Sequence, residues 1–139
     1  MSPSSRTLAE LKKQGYIAQS VERYNSFSKT RTDYLGVIDI IAFKPGILGV
    51  LGVQATTESH AIARVGKALK EPRLSSWLKC NNLFEVWAWA KQGPRNKAKH
   101  WRLKRRRVVE RSNILGWYEL EEVEESCPPK PNLTFDFRN

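Results

Sequence analysis

Cysteine is scarce in this chain of 139 residues: Cys80 and Cys127 are the two, 47 positions apart, with neither a CxxC spacing nor a neighbouring histidine. That excludes a disulfide framework and a zinc site as sources of stability and fits a reduced intracellular setting. Long apolar runs are also missing. No stretch approaches the roughly 18 residues that a membrane span requires, and the N-terminal MSPSSRTLAELKKQ lacks the apolar centre of a signal peptide. A soluble, cytoplasmic protein without membrane association is the expectation. Acid is missing too, but only locally. Residues 1–118 hold 22 Lys and Arg against 8 Asp and Glu, a charge of +14, whereas residues 119–139 hold 2 against 6, a charge of −4. A body this basic attracts polyanions, of which nucleic acid is the usual one, and a merely solvated basic surface is the plain alternative.

What is present reads as one domain, since this length supports a single core but not two. Thr7 stands three positions before Glu10, a capping-box spacing, and Leu8, Leu11 and Gly15 follow, so RTLAELKKQG predicts a short helix. YIAQSVERY (16–24) is extended in character, and NSFSKTRTD (25–33) is small, polar and basic, a loop. A second strand is expected at about 36–43, a turn at KPG (44–46), and a third, glycine-rich strand at 47–56 that pairs with the second as a hairpin. Thr57 is a candidate N-cap for a helix with Ile62, Val65 and Leu69 on one side and His60, Arg64 and Lys67 on the other. Pro72 suits the start of another short helix. LFEVWAWAK (83–91) and HWRLKRRRVVE (100–110) predict two further strands joined by a basic loop. This order implies an α/β fold with a central parallel or mixed β-sheet flanked by helices. The tail ELEEVEESCPPKPN is acidic and then proline-rich, with the character of a loosely docked or solvated segment.

One residue breaks the apolar run GVIDIIAF. A lone ionised carboxylate in a dry strand is costly unless it is paired, hydrogen-bonded, protonated or bound to a metal, and Asp39 has no cation within its own strand. A hard cation is one answer, because oxygen ligands can come from two adjacent strands. Side chains alternate along a strand, so Gln54 and Thr56 share a face that a hairpin can lay beside Asp39.

Helix, strand, GVIDIIAF, turn, GVLGVQATT and helix, over roughly residues 5–70, resemble the PD-(D/E)XK nuclease superfamily, and in particular its small members similar to Holliday-junction resolvases and phage nucleases. The resemblance implies a restriction-endonuclease-like core over residues 1–118, with 119–139 as an appended tail, and a Mg²⁺- or Mn²⁺-dependent endonuclease that hydrolyses phosphodiesters of branched or forked DNA. It places Asp39 at the family's metal-binding Asp, Gln54 at the Glu and Thr56 at the Lys of the Glu-x-Lys pair. The implied metal ligands are Asp39, Gln54, the Ala55 carbonyl and Glu22, the last as a second carboxylate preferred over Glu10. Two positions depart from the pattern. A Gln oxygen can ligate but brings no charge, and Thr56 cannot stabilise developing negative charge as a lysine does. That task would pass to Lys67 or Arg64 on the next helix, or to Lys44 at the turn.

The second constellation is basic. From Lys91 to Arg107, nine of seventeen residues are Lys or Arg. Arg95, Lys97, Lys99, Arg102, Lys104, Arg105, Arg106 and Arg107 are candidate phosphate contacts, as are Lys29 and Arg31 in SKTR. Consecutive Arg105, Arg106 and Arg107 on a strand must point to both faces. The tryptophans read first as packing and second as base-stacking platforms. Two rivals stand beside the nuclease: a nuclease-fold DNA-binding or recombination accessory protein without catalysis, and a small basic RNA-binding protein in which Asp39 is structural. A homodimer or a protein partner that completes the site is compatible with each of the DNA readings.

Overall fold

The computed structural model of the chain describes residues 1–120. Its centre is a mixed sheet of six strands in the spatial order β1-β4-β5-β6-β7-β8. These are β1 (Ile17–Ser20), β4 (Ile40–Phe43), β5 (Leu51–Thr57), β6 (Leu83–Gln92), β7 (His100–Arg111) and β8 (Ile114–Glu119), while β2 (Arg23–Asn25) and β3 (Thr30–Thr32) form a separate small hairpin. Only β5 and β6 run parallel, in the register Gln54↔Val86, and every other neighbouring pair is antiparallel. The crossover between β5 and β6 is made by α2 (Ala61–Leu69) and α3 (Pro72–Lys79), as a parallel pair requires.

Both faces of the sheet are covered, which explains why β5 and β6 read as nearly continuous apolar runs rather than alternating ones. On one face α1 (Pro3–Lys13) sets Leu11 against Ile40, Ala42, Leu51, Val53, Ala55 and Trp87. On the other, Val65 and Ala68 of α2 and Leu74 of α3 pack with Ile38, Phe84, Val86 and Val108. The expected α/β architecture with a central mixed sheet and flanking helices is therefore the one observed.

Several local expectations change. The first helix begins at Pro3, not Thr7: Ser2 is its N-cap and accepts from the Ser5 N–H at 3.2 Å. Thr7 lies inside the helix, buried, where its Oγ1 accepts from Trp89 Nε1 at 2.9 Å, so a tertiary partner outweighs the capping role. The expected strand at 36–43 starts at Ile40, because Leu35 and Gly36 have positive φ and Tyr34 and Ile38 exchange backbone hydrogen bonds across a tight turn. Val37 and Ile38 are apolar because that turn packs into the core. The expected strand at 47–56 starts at Leu51. Gly46 and Gly49 both have positive φ, and Gly49 approaches the Asn81 backbone so closely that a Cβ would overlap it. The 25–33 loop is largely the turn and second strand of the β2–β3 hairpin. In α2 the buried side is Ala61, Val65 and Ala68, and Ile62 is exposed. Strand β8, not anticipated, returns along β7 through a two-residue turn at Ser112 and Asn113, both with positive φ. Glu119, assigned above to the tail, closes β8, and the Leu120 N–H still donates to the Arg105 carbonyl at 2.9 Å; the rest of the tail lies outside the described residues.

Candidate functional site

Asp39 sits where three strands meet. Its carbonyl accepts from the Val21 N–H at 2.9 Å just past β1, and its own N–H donates to the Val53 carbonyl of β5 at 3.0 Å. The β4–β5 ladder ends at Ile40↔Val53, so the Ala55 N–H lies beyond the reach of β4's backbone. The Asp39 side chain takes the place of the missing acceptor: Oδ2 accepts from Ala55 N–H at 3.0 Å and from Gln54 Nε2 at 3.3 Å. Gln54 and Thr56 lie on the same face of β5, as alternation requires. The structure thus brings Asp39, Gln54 and Ala55 together, and all of Asp39, Gln54 and Thr56 are buried.

The other carboxylate oxygen, Oδ1, is buried and has no hydrogen-bond partner among the described residues. Burial pushes the Asp39 carboxyl up from 3.8 to about 7; the Ala55 N–H pulls against this, and the nearby acids Asp33 and Glu22 add to the rise. Near neutral pH the group is therefore divided between its two protonation states. Glu22 is paired with Arg31, Oε1 to Nη1 at 3.7 Å, across the base of the β2–β3 hairpin. Asp33, at the other leg of that hairpin, was not anticipated; only the fold brings it close.

Glu85 shows how the chain treats a buried acid that is given counterions. It too interrupts an apolar strand, and its side chain is 2% exposed. Its register partner on β7 is Arg107, which donates to Oε2 from Nε at 3.1 Å and Nη2 at 2.7 Å, while Trp87 Nε1 donates to Oε1 at 2.9 Å. Arg105 approaches the same carboxylate at 4.0 Å. Asp39 has acids for neighbours where Glu85 has two arginines.

The basic candidates divide accordingly. Arg106 points to the opposite face from Arg105 and Arg107, is buried, and donates to both carboxylate oxygens of Glu58 at 3.1 and 2.6 Å, with Glu119 at 3.4 Å. Arg106 and Arg107 thus have hydrogen-bonded acid partners within the chain, and Arg105 lies 4.0 Å from Glu85. Arg95, Lys97, Lys99, Arg102 and Lys104 remain exposed on the β6–β7 hairpin, with no ion pair among the described residues. Lys29 and Arg31 are exposed on the small hairpin. Arg64 and Lys67 lie on α2 and make no hydrogen bond to Asp39, Gln54 or Thr56 among the described residues. Lys44 is occupied elsewhere: its Nζ donates to the Gln14 carbonyl at 2.7 Å, capping the C-terminal end of α1.

Among the described residues no group of three or more His, Cys, Asp and Glu is arranged to hold a metal ion. What fits a cation is narrower: one oriented carboxylate with an unpartnered oxygen, in a field made negative by Asp33 and Glu22. Mg²⁺ accepts such a setting, since it is commonly held by one or two carboxylates and completed by water and substrate phosphate. No family model, no curated protein and no solved structure matches the chain.

Proposed function

We propose that the chain is a divalent-metal-dependent DNA endonuclease centred on Asp39, acting on branched or forked DNA. The observation that carries this reading is the contrast between the two buried acids. Glu85 has its counterions, whereas Asp39 is fixed in position by Ala55 and Gln54, lies near Asp33 and Glu22, and has one oxygen without a hydrogen-bond partner among the described residues. Such an arrangement costs stability, and costly electrostatics of this kind cluster at functional sites. The order on which the resemblance to PD-(D/E)XK nucleases rests, helix, strand, GVIDIIAF, turn, GVLGVQATT and helix, is compatible with α1, β1, β4, β5 and α2 of the fold.

In this reading Asp39 Oδ1 would hold Mg²⁺ or Mn²⁺, with the Gln54 amide oxygen, the Ala55 carbonyl and Glu22 as the further ligands implied by the resemblance. The cation supplies an acidified water and charge neutralisation at the phosphate. The chain's own residues set the stage. The Ala55 N–H orients the carboxylate, Gln54 holds the same oxygen, and the exposed Lys and Arg of the two hairpins bind phosphate without reading bases. Thr56 carries no positive charge, so a cation from Lys67, Arg64 or the small hairpin would have to neutralise the transition state.

Near-complete burial of Asp39, Gln54 and Thr56 favours a second reading, a DNA-binding or accessory module in which Asp39 braces the β4–β5 junction. One experiment separates the two. Linear, forked and four-way DNA are incubated with the protein in Mg²⁺ and in Mn²⁺, beside Asp39→Ala. Cleavage that disappears in the variant while DNA binding persists supports the nuclease. Metal-independent binding with no cleavage of any substrate supports the accessory module, and preferential binding of RNA at matched salt contradicts both.

A further inference from the structure

The small hairpin β2–β3 ends in a feature that the Asp39 site does not use. Phe27 at its tip is 99% exposed, and Tyr24 on β2 is 62% exposed. An aromatic ring held almost wholly in water on an otherwise polar turn serves no packing purpose, and the backbone of the turn that carries it is fixed by hydrogen bonds. The Asn25 side-chain oxygen accepts from the Phe27 N–H at 2.9 Å and the Ser28 N–H at 3.4 Å, and the Ser28 and Thr30 hydroxyls share a hydrogen bond at 2.6 Å. This is an Asx-type turn, closed below by the pairs Asn25↔Thr30, Tyr24↔Arg31 and Arg23↔Thr32. The exposed cations Arg23, Lys29 and Arg31 lie on the same hairpin as the ring.

The hairpin is also rooted beside the site. Its two legs leave the body at Glu22 and Asp33, the two acids whose fields act on Asp39, and Val21 just before it is hydrogen-bonded to the Asp39 carbonyl. Three residues of strand carry the tip roughly 10 Å from those roots. A ligand held at the tip is therefore within a few nucleotides' length of Asp39 along a backbone, because successive phosphates of one strand are about 3.4 Å apart along the helix axis.

We propose that this hairpin is a wedge that stacks Phe27 on an unpaired base at a branch point, with Lys29, Arg31 and Arg23 on the flanking phosphates. The inference deepens the nuclease reading and rests on it: it names the substrate class as DNA containing unpaired nucleotides next to duplex. The supporting chemistry is general. Base stacking on an aromatic ring tolerates any sequence because every base has a π-face, and apolar side chains inserted at base steps are a recurrent way of holding distorted DNA. A preordered turn lowers the cost of presenting the ring. A membrane surface would also accept an exposed aromatic with basic neighbours, but a ring on a narrow hairpin reaches a single base more readily than it supplies an apolar face.

The test is a binding measurement without metal, so that it does not depend on cleavage. Forked DNA carrying 2-aminopurine at the first unpaired position, and a blunt duplex of matched sequence, are titrated with the full chain, Phe27→Ala and Phe27→Trp. Phe27 lies outside the core, so all three are expected to fold alike by circular dichroism. The wild type is expected to prefer the fork and change the 2-aminopurine emission. Phe27→Ala is expected to lose roughly five- to 150-fold in fork affinity with duplex affinity unchanged, and Phe27→Trp to restore it. Unchanged fork preference in Phe27→Ala overturns the wedge and leaves the nuclease reading standing. Absence of any DNA binding by the wild type overturns both, and a Phe27→Trp emission shift with phosphatidylglycerol vesicles but not with forked DNA overturns the wedge in favour of a membrane contact.

Discussion

A carboxylate with one oxygen held by a backbone N–H and the other without a hydrogen-bond partner among the described residues has a pH-dependent cost that can be measured. The Asp39 carboxyl is raised in the fold from 3.8 to about 7, so the folded state binds this proton more tightly than the unfolded chain. The contribution to stability is therefore greatest below 3.8, falls as pH rises between the two values, and is flat above about 7. Asp39→Asn removes the ionisable group while its amide oxygen can still accept from Ala55. It is expected to be more stable than the wild type at pH 8 by up to on the order of 4 kcal/mol, with the gap closing toward pH 4; urea denaturation at the two pH values reads it. Added Mn²⁺ is expected to raise the melting temperature of the wild type at pH 8 and leave Asp39→Asn unmoved, since a ligand stabilises only the state that binds it. A variant no more stable than wild type at pH 8 would mean that the buried carboxylate is compensated after all.

At the scale of elements, the triple arginine of β7 is a structural brace. Alternation sends Arg106 to the face with Glu58 and Glu119, and Arg105 and Arg107 to the face with Glu85. Breaking a buried pair from one side leaves a charge without compensation, which typically costs about 3–5 kcal/mol. Arg107→Ala, which leaves Glu85 with Arg105 at 4.0 Å, and Glu58→Ala, which leaves Arg106 with Glu119 at 3.4 Å, are each expected to lose stability, by less than that range, in chemical denaturation. Replacement of Glu85 and Arg107 together by apolar residues of similar size is expected to recover most of the loss. A negligible loss in both single variants would show that solvent reaches these pairs.

The same elements show what was legible beforehand. Helices α2 and α3 and strands β6 and β7 declare themselves because their period and length are strong, and the β4–β5 hairpin because GVIDIIAF, KPG and GVLGVQAT are apolar runs about a turn. The starts of β4 and β5 were not legible, since apolar Val37, Ile38, Ile47 and Leu48 belong to turns set by positive-φ residues rather than to strands. Strand β8 was hidden because its turn residues, Ser112 and Asn113, take positive φ without the glycine that marks a tight hairpin in sequence. Within the site, Asp39 and Gln54 could be paired because alternation and a hairpin suffice to place them. Asp33 and the pairing of Glu22 with Arg31 could not, because they depend on how a loop folds back. Glu85 carried the same signal as Asp39, a lone acid in an apolar strand, and register with Arg107 is what distinguishes them.

For the whole molecule, the consequence is that net charge overstates the free basic surface. Three of the nine cations between Lys91 and Arg107 neutralise the chain's own acids. The exposed hairpin cations are the ones expected to release counterions from DNA. Replacing Arg95, Lys97 and Lys99 together by Ala should reduce the magnitude of the slope of log affinity against log salt by roughly 0.9 for each phosphate no longer neutralised, without altering the denaturation midpoint. An unchanged slope would place the DNA on another face.

Cleavage of forked DNA in Mn²⁺ by wild type and Asp39→Asn, at protein concentrations that saturate binding, tests most directly the proposal that Asp39 organises phosphodiester hydrolysis. The predicted result is cutting by the wild type and a loss of at least about a hundred-fold in the variant, an order of magnitude typical for removing a principal electrostatic contributor to catalysis, with fork affinity preserved. Equal cleavage by the two proteins, or none by either while both bind the fork, would contradict it.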